Sequence, residues 1–242
     1  MSFELVRTEA GVAVDLGSTQ LQIGHIIGIG RNYADHVAEM GGSVPERPMY
    51  FTKNPASACV HSDAIRIPAI CRDEATGGPE QVDFEAELAV IIGERCTDVP
   101  QDRAMDVVLG VTCVNDVSAR WWQKHGSGGQ FCRGKSFDTF CPMGPIVRTI
   151  DEIGDVQSLA IACRVGGETM QSASTSQMIF SVARLIAELS MATTLLPGTA
   201  ILTGTPSGVG HGRDPKRYLC AGETVEVEIE GIGVLSNPVE NA

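Results

Sequence analysis

The residues from Val82 to Gly93, VDFEAELAVIIG, hold the pattern with the most chemistry in it. If this segment is a strand, side chains alternate between faces, so Asp83, Glu85 and Glu87 share one face at a spacing of about 7 Å. The same face continues as Ala89 and Ile91, which turns it towards the interior. Carboxylates entering a partly buried face repel one another unless a cation neutralises them or a proton is taken up. One reading is a divalent-metal site; the other is an edge strand with a wet acidic face. These residues alone leave both open.

Asp116 ends a second apolar run, VVLGVTCVND. A carboxylate in that place can serve as a simple helix N-cap. If it converges with Glu85 and Glu87 instead, the set is three hard oxygen donors without Cys or His, which suits Mg2+ or Mn2+ better than Zn2+. His36 and Glu39 stand i, i+3 in GRNYADHVAEMGG, so a helix brings them together and Glu39 can orient the imidazole, although a solvated helix face has the same spacing. Lys135 sits in a Gly-flanked turn, and Thr203 and Thr205 end an apolar run in a Gly/Pro turn. Such turns present backbone N–H groups that can hold a carboxylate. A surface lysine and a structural turn are the plain alternatives. Gly28-x-Gly30 lacks the third glycine of a dinucleotide fingerprint, which excludes that class.

These groups need elements to place them. Apolar runs bounded by Gly, Pro, Asp or Asn at 25–30, 48–53, 82–93, 108–116, 159–167, 199–205 and 224–235 read as strands. Helical patterning is confined to 33–40, a piece beginning near Val117, and 175–194. The expected class is α+β, strand-dominated, with a few short helices. Residues 1–20 are expected as a small leading β piece and 21–242 as the catalytic domain. In the run at 224–235, Glu226, Glu228 and Glu230 alternate with Val225, Val227 and Ile229 and read as a solvated face.

Composition narrows the function. The 242 residues carry a formal charge of −12 with no basic stripe, which argues against nucleic acid and anionic lipid as partners. No apolar run is long enough to cross a bilayer, and the N-terminus lacks a secretory pattern, so a cytoplasmic protein is expected. The eight cysteines form no CxxC pair and read as reduced, mostly buried thiols.

Taken in order, GRNYADHVAEM, PMYFTKNPASA, VDFEAELAVIIG, NDVSARWWQ, GKSFDTFCPMGP, TSQMIFSVARLIAELS and LLPGTAILTGTPSGVG resemble the fumarylacetoacetate hydrolase family from about Gly24 to Val239. The resemblance implies a mixed β-roll and a homodimer. It implies that Glu85, Glu87 and Asp116 bind one divalent cation, Mg2+ or Mn2+ with Ca2+ a further candidate, and that His36 with Glu39 activates water. It also implies that Lys135, Arg120 and Gln123 contact substrate or stabilise developing negative charge, and that Thr205 belongs to a carboxylate-binding turn. Two departures, the long loop 71–81 and the pair Trp121-Trp122, are expected to bear on substrate size; so is the segment 41–48.

The chemistry implied is hydrolysis of a C–C bond in a 2,4-diketo acid, such as an acylpyruvate or fumarylpyruvate, through a metal-stabilised enolate and a water activated by His36 and Glu39. Oxaloacetate decarboxylation and hydroxydienedioate isomerisation use the same groups and are the alternatives. A non-catalytic oxo-acid binder is the reading from another class.

Overall fold

The computed structural model describes residues 1–76, 78 and 81–242; of the long loop at 71–81, Gly77, Pro79 and Glu80 lie outside the described residues. The acidic segment forms two strands, not one: Val82–Asp83 pairs with Ser118–Ala119, and Ala86–Ile92 follows after a break at Phe84 and Glu85. Ala86–Ile92 is buried along its whole length. Leu88, Val90 and Ile92 enter one hydrophobic cluster, while Ala89 and Ile91 enter a second on the opposite face. That is why the odd face turns apolar after Glu87. Each large apolar side chain so enclosed stabilises the fold by about 1.5–3 kcal/mol, which holds the acidic end of the strand in a fixed place.

Among the described residues this strand lies within a ten-stranded mixed sheet. Its antiparallel neighbours are Val108–Asn115 on one side and Thr199–Leu202 on the other. Beyond Thr199–Leu202 come His25–Gly30, paired parallel, and then the edge strand Met49–Lys53. Beyond Val108–Asn115 come Cys141–Arg148 and the leading strand Ser2–Thr8. A five-stranded sheet, with Ala160–Val165 and Thr224–Ile229 at its centre, supplies much of the first hydrophobic cluster. The strand-dominated class with few helices is thus observed.

Three expectations need correction. The run at 224–235 is a hairpin: Thr224–Ile229 turns at Gly231, where φ is +75°, into Gly233–Asn241. The helix expected from near Val117 starts three residues later: the short strand Ser118–Ala119 comes first, then a helical stretch from Arg120 to Gly126 and a separate helical turn at Phe131–Lys135. Pairing with Val82–Asp83 claims the backbone there, and the Arg120 N–H goes to the Gln81 carbonyl. The segment 175–194 divides into a turn at Thr175–Gln177, closed by a capping box on Ser174, and the helix Val182–Ser190, capped by Ser181. Between them Ile179 donates its N–H to the Asn32 carbonyl, which stops the first turn from propagating.

The remaining short helix, Ala34–Glu39, matches expectation. It ends where Gly41 adopts a φ of +66° and the Gly41 and Gly42 N–H groups reach the carbonyls of Ala38 and Val37. No helix among the described residues is long and apolar enough to cross a membrane.

Candidate active site

Strand register brings the acids together. Asn115 pairs with Ala86 and Val114 with Glu87, so Asp116, one residue further on, lies alongside Glu85. The Asp116 N–H donates to the Glu85 carbonyl at 2.8 Å, and the Glu85 N–H donates to Asn115 Oδ1 at 3.0 Å. Carboxylate oxygens of Glu85, Glu87 and Asp116 then lie within 4.8 Å of one another, all on buried residues. Glu87 Oε2 accepts the Gly204 N–H at 2.7 Å. Gly204 has a φ of +97°, and a Cβ there would stand 2.7 Å from that of Asn32, so only glycine brings the amide to this acid.

Every buried Asp, Glu, Lys and Arg among the described residues belongs to this one cluster. Buried charges need partners, and most of these have them. Lys135 Nζ bridges Glu85 and Asp116 at 2.7 and 2.6 Å. Arg120 binds Asp83 at 2.6 Å and Glu85 at 2.7 Å. Lys53 binds Asp116 Oδ1 at 2.5 Å and the Phe140 carbonyl at 2.9 Å. Four carboxylates face three cations, and Glu87 is the acid that no ion pair reaches among the described residues.

The titration pattern follows. Burial presses the Glu85 carboxyl upward, but Lys135 and Arg120 outweigh it and hold the group down at about 2. Burial drives the Glu87 carboxyl well above the usual range, and repulsion from Asp116 and Glu85 adds to it. Burial opposes the charge on Lys135, and Asp116 and Glu85 more than restore it, so its ammonium holds its proton more tightly than usual. Three converging hard oxygens with one surplus negative charge, and no soft donor, fit a hard divalent cation such as Mg2+ or Mn2+.

His36 Nδ1 meets Glu39 Oε2 at 3.2 Å, and the other oxygen of Glu39 accepts the Gly208 N–H at 2.9 Å. The acid is held from both sides, which leaves Nε2 as the ring nitrogen free to exchange a proton. His36 lines a cavity of about 140 Å³ together with Glu85 and Glu87. All the expected site residues line it except Glu39 and Asp116, which stand behind the wall. Lys135 is neither on the surface nor in a turn; it ends the helix Phe131–Lys135, only 2% exposed. Gln123 accepts from Arg120 Nη1 at 3.0 Å. The Thr205 hydroxyl donates to the Ala86 carbonyl and accepts from Gln171, and that of Thr203 donates to the Leu88 carbonyl.

The apolar wall of the cavity is Met40, Met49, Phe51 and Phe131, with Arg31 and Lys124 adding charge. Trp121 and Trp122 are not part of it; they pack edge to face on each other, and Trp122 meets Phe137. The sequence did carry a signal for this wall. A Cβ on Gly28 would lie 2.4 Å from the Phe51 ring and one on Gly30 2.3 Å from the Met49 methyl, so Gly28-x-Gly30 marks where those side chains lie across the neighbouring strand. Lys53 and the Asp83–Arg120 pair went unread, because their partners come from distant segments.

Residues 25–240 match the family model described as fumarylacetoacetate (FAA) hydrolase C-terminal. Over 214 residues the chain is 47% identical to a mitochondrial oxaloacetate tautomerase of Xenopus laevis; the match covers 88% of this chain and 65% of that protein, so the chain spans under two thirds of its length. Among solved structures, a fumarylacetoacetate hydrolase from Exiguobacterium antarcticum aligns with a TM-score of 0.82 at 33% identity, covering 100% of both chains. A 5-carboxymethyl-2-hydroxymuconate delta-isomerase from Mycobacterium smegmatis aligns at 0.79 and 34% identity, covering 99% of this chain and 94% of that one.

Proposed function

The chain belongs to the fumarylacetoacetate hydrolase family, and from that premise we propose that it moves a proton at the carbon next to the keto group of a small 2-oxo acid, as a keto–enol or double-bond isomerase. The observation that carries this reading is the His36–Glu39 pair opening on the same cavity as Glu85 and Glu87. Glu85, Glu87 and Asp116 would hold the divalent cation. When bound, the cation supplies Lewis-acid polarisation of a keto oxygen and stabilises the negative charge that develops there.

The chain's own residues do the rest. His36 Nε2 takes the proton from the carbon beside the keto group, and Glu39 stabilises the imidazolium so formed. Lys135 and Arg120 add fixed positive potential where the enolate charge builds, in a site whose buried walls keep the local dielectric low. The proton returns from the same imidazolium to the enol oxygen or to a different carbon, which sets the product. Thr205 and the turn after it offer groups for the substrate carboxylate. A 47% identical tautomerase and a 34% identical isomerase support this outcome.

Hydrolysis of a 2,4-diketo acid is the second reading, favoured by the full-length alignment with the Exiguobacterium hydrolase. There His36 would take its proton from water instead of carbon. One experiment separates the two. Purified protein with Mg2+ or Mn2+ is given enol oxaloacetate, a hydroxydienedioate and an acylpyruvate, and enol absorbance, pyruvate and CO2 are followed. Loss of enol absorbance without pyruvate or CO2 supports isomerisation; stoichiometric pyruvate from the acylpyruvate replaces it with hydrolysis, and CO2 from oxaloacetate with decarboxylation.

A further inference from the structure

Asp83 shares the acidic face with Glu85 and Glu87, yet its geometry differs. Its carboxylate is fully enclosed and receives five hydrogen bonds. Arg120 donates from Nε at 2.8 Å and from Nη2 at 2.6 Å, both to Oδ2. The backbone N–H groups of Gly210 and His211 donate at 2.8 and 2.9 Å, and that of Phe84 at 2.9 Å. Every lone-pair direction is taken, so Asp83 has no oxygen left for a cation.

The segment that Asp83 holds reaches three other places around the site. Gly208, two residues before Gly210, donates its N–H to Glu39. The His211 side chain sits between Lys124 Nζ, at 2.7 Å from Nε2, and the Tyr218 hydroxyl, at 2.6 Å from Nδ1. Gly204, earlier in the same segment, donates to Glu87. Glycine is required where these amides approach: a Cβ would stand 2.1 Å from the Met170 carbonyl oxygen at Gly208 and 1.6 Å from that of Arg217 at Gly210.

We propose that Asp83 is a positioning residue, which fixes the Arg120 guanidinium in the cavity by tying it to the backbone at Gly210 and His211. Arg120 needs this help. It follows directly on the two-residue strand Ser118–Ala119 and opens the short helical stretch that runs to Gly126, with no long element to aim it. A guanidinium forked onto one carboxylate by Nε and Nη2 has its plane set; Nη1 gives its two hydrogens to Glu85 and Gln123, and the second hydrogen of Nη2 is left for a ligand oxygen. Because the inference takes Arg120 to meet the substrate, it rests on the function proposed above.

The test reads binding, not turnover. Mn2+ affinity, and then oxalate affinity of the Mn2+-loaded protein, are measured by calorimetry for wild type, Asp83→Asn and Arg120→Lys, the last keeping the charge but not the fork. The expected result is Mn2+ affinity within about threefold of wild type in both variants and oxalate affinity weakened tenfold or more in both. Wild-type oxalate affinity in a folded Asp83→Asn protein, or in Arg120→Lys should Asp83→Asn fail to fold, overturns the proposal. Loss of Mn2+ affinity in parallel with oxalate also overturns it, since Asp83 would then shape the carboxylate cluster and not Arg120. If wild-type protein loaded with Mn2+ does not bind oxalate, the failure is that of the proposed function itself.

Discussion

Lys53 Nζ lies 2.5 Å from Asp116 Oδ1, and both side chains are shut off from solvent. Lys53 does not line the cavity, whereas Lys135 approaches the same carboxylate from the cavity wall at Oδ2. One carboxylate therefore has a cation from the cavity wall on one oxygen and a permanent cation at its back on the other.

Removing that cation leaves a buried charge half compensated, the situation that costs about 3–5 kcal/mol in proteins. Lys53→Met is expected to lose stability on that scale in guanidinium unfolding, with an unchanged m-value. A loss below about 1 kcal/mol would mean that Lys135 alone suffices for Asp116.

Glu87 leads to a prediction of opposite sign. Burial, Asp116 and Glu85 all oppose its charge. Glu87→Gln relieves that repulsion and keeps an acceptor for the Gly204 N–H, so the metal-free protein should melt at the same temperature as wild type or a few degrees higher. Divalent affinity, in contrast, should fall at least a hundredfold by calorimetry, because one of three oxygen donors has lost its charge. Unchanged Mg2+ and Mn2+ affinity would remove Glu87 from the metal site.

His211 sets a pH window. Burial, followed by the charges of Lys124, Arg120 and Lys216, lowers its imidazole from 6.5 to about 4. The folded state thus keeps His211 neutral where the unfolded chain protonates it. Its contribution to stability is complete above pH 6.5 and is lost as the pH falls towards 4. Between those limits His211→Gln should unfold with a pH dependence shallower by up to one proton. A slope identical to wild type would show that His211 titrates normally in the folded protein.

How much of this was legible depended on the distance between partners. Period two in VDFEAELAVIIG gave the three acids and the inward turn at Ala89 and Ile91, because alternation is a local property and the flanking cores bury both faces. The i, i+3 spacing gave the His36–Glu39 contact for the same reason. The break at Phe84 and Glu85 was invisible, since the Glu85 N–H goes to the side chain of Asn115, thirty residues away. Asp83 looked like a third member of the acidic set, and what separates it from the other two is the Arg120 fork together with three backbone N–H groups, two of them from Gly210 and His211. Lys53 ends an edge strand in a pattern that a surface lysine would share.

The last prediction separates binding from chemistry. Among the described residues His36 pairs with Glu39 and forms no ion pair with the three converging acids. His36→Ala should therefore retain Mn2+ and oxalate affinity within about threefold while turnover of the identified substrate falls about 10²–10⁴-fold, the range associated with loss of a general base. Glu39→Gln keeps the acceptor for the Gly208 N–H but removes the charge that stabilises the imidazolium, so it should lower kcat by less than His36→Ala does and leave oxalate binding unchanged. Undiminished turnover in His36→Ala would take the histidine out of the mechanism and leave Lys135 as the group to examine for proton transfer. A parallel loss of oxalate binding would instead make His36 part of the ligand contact.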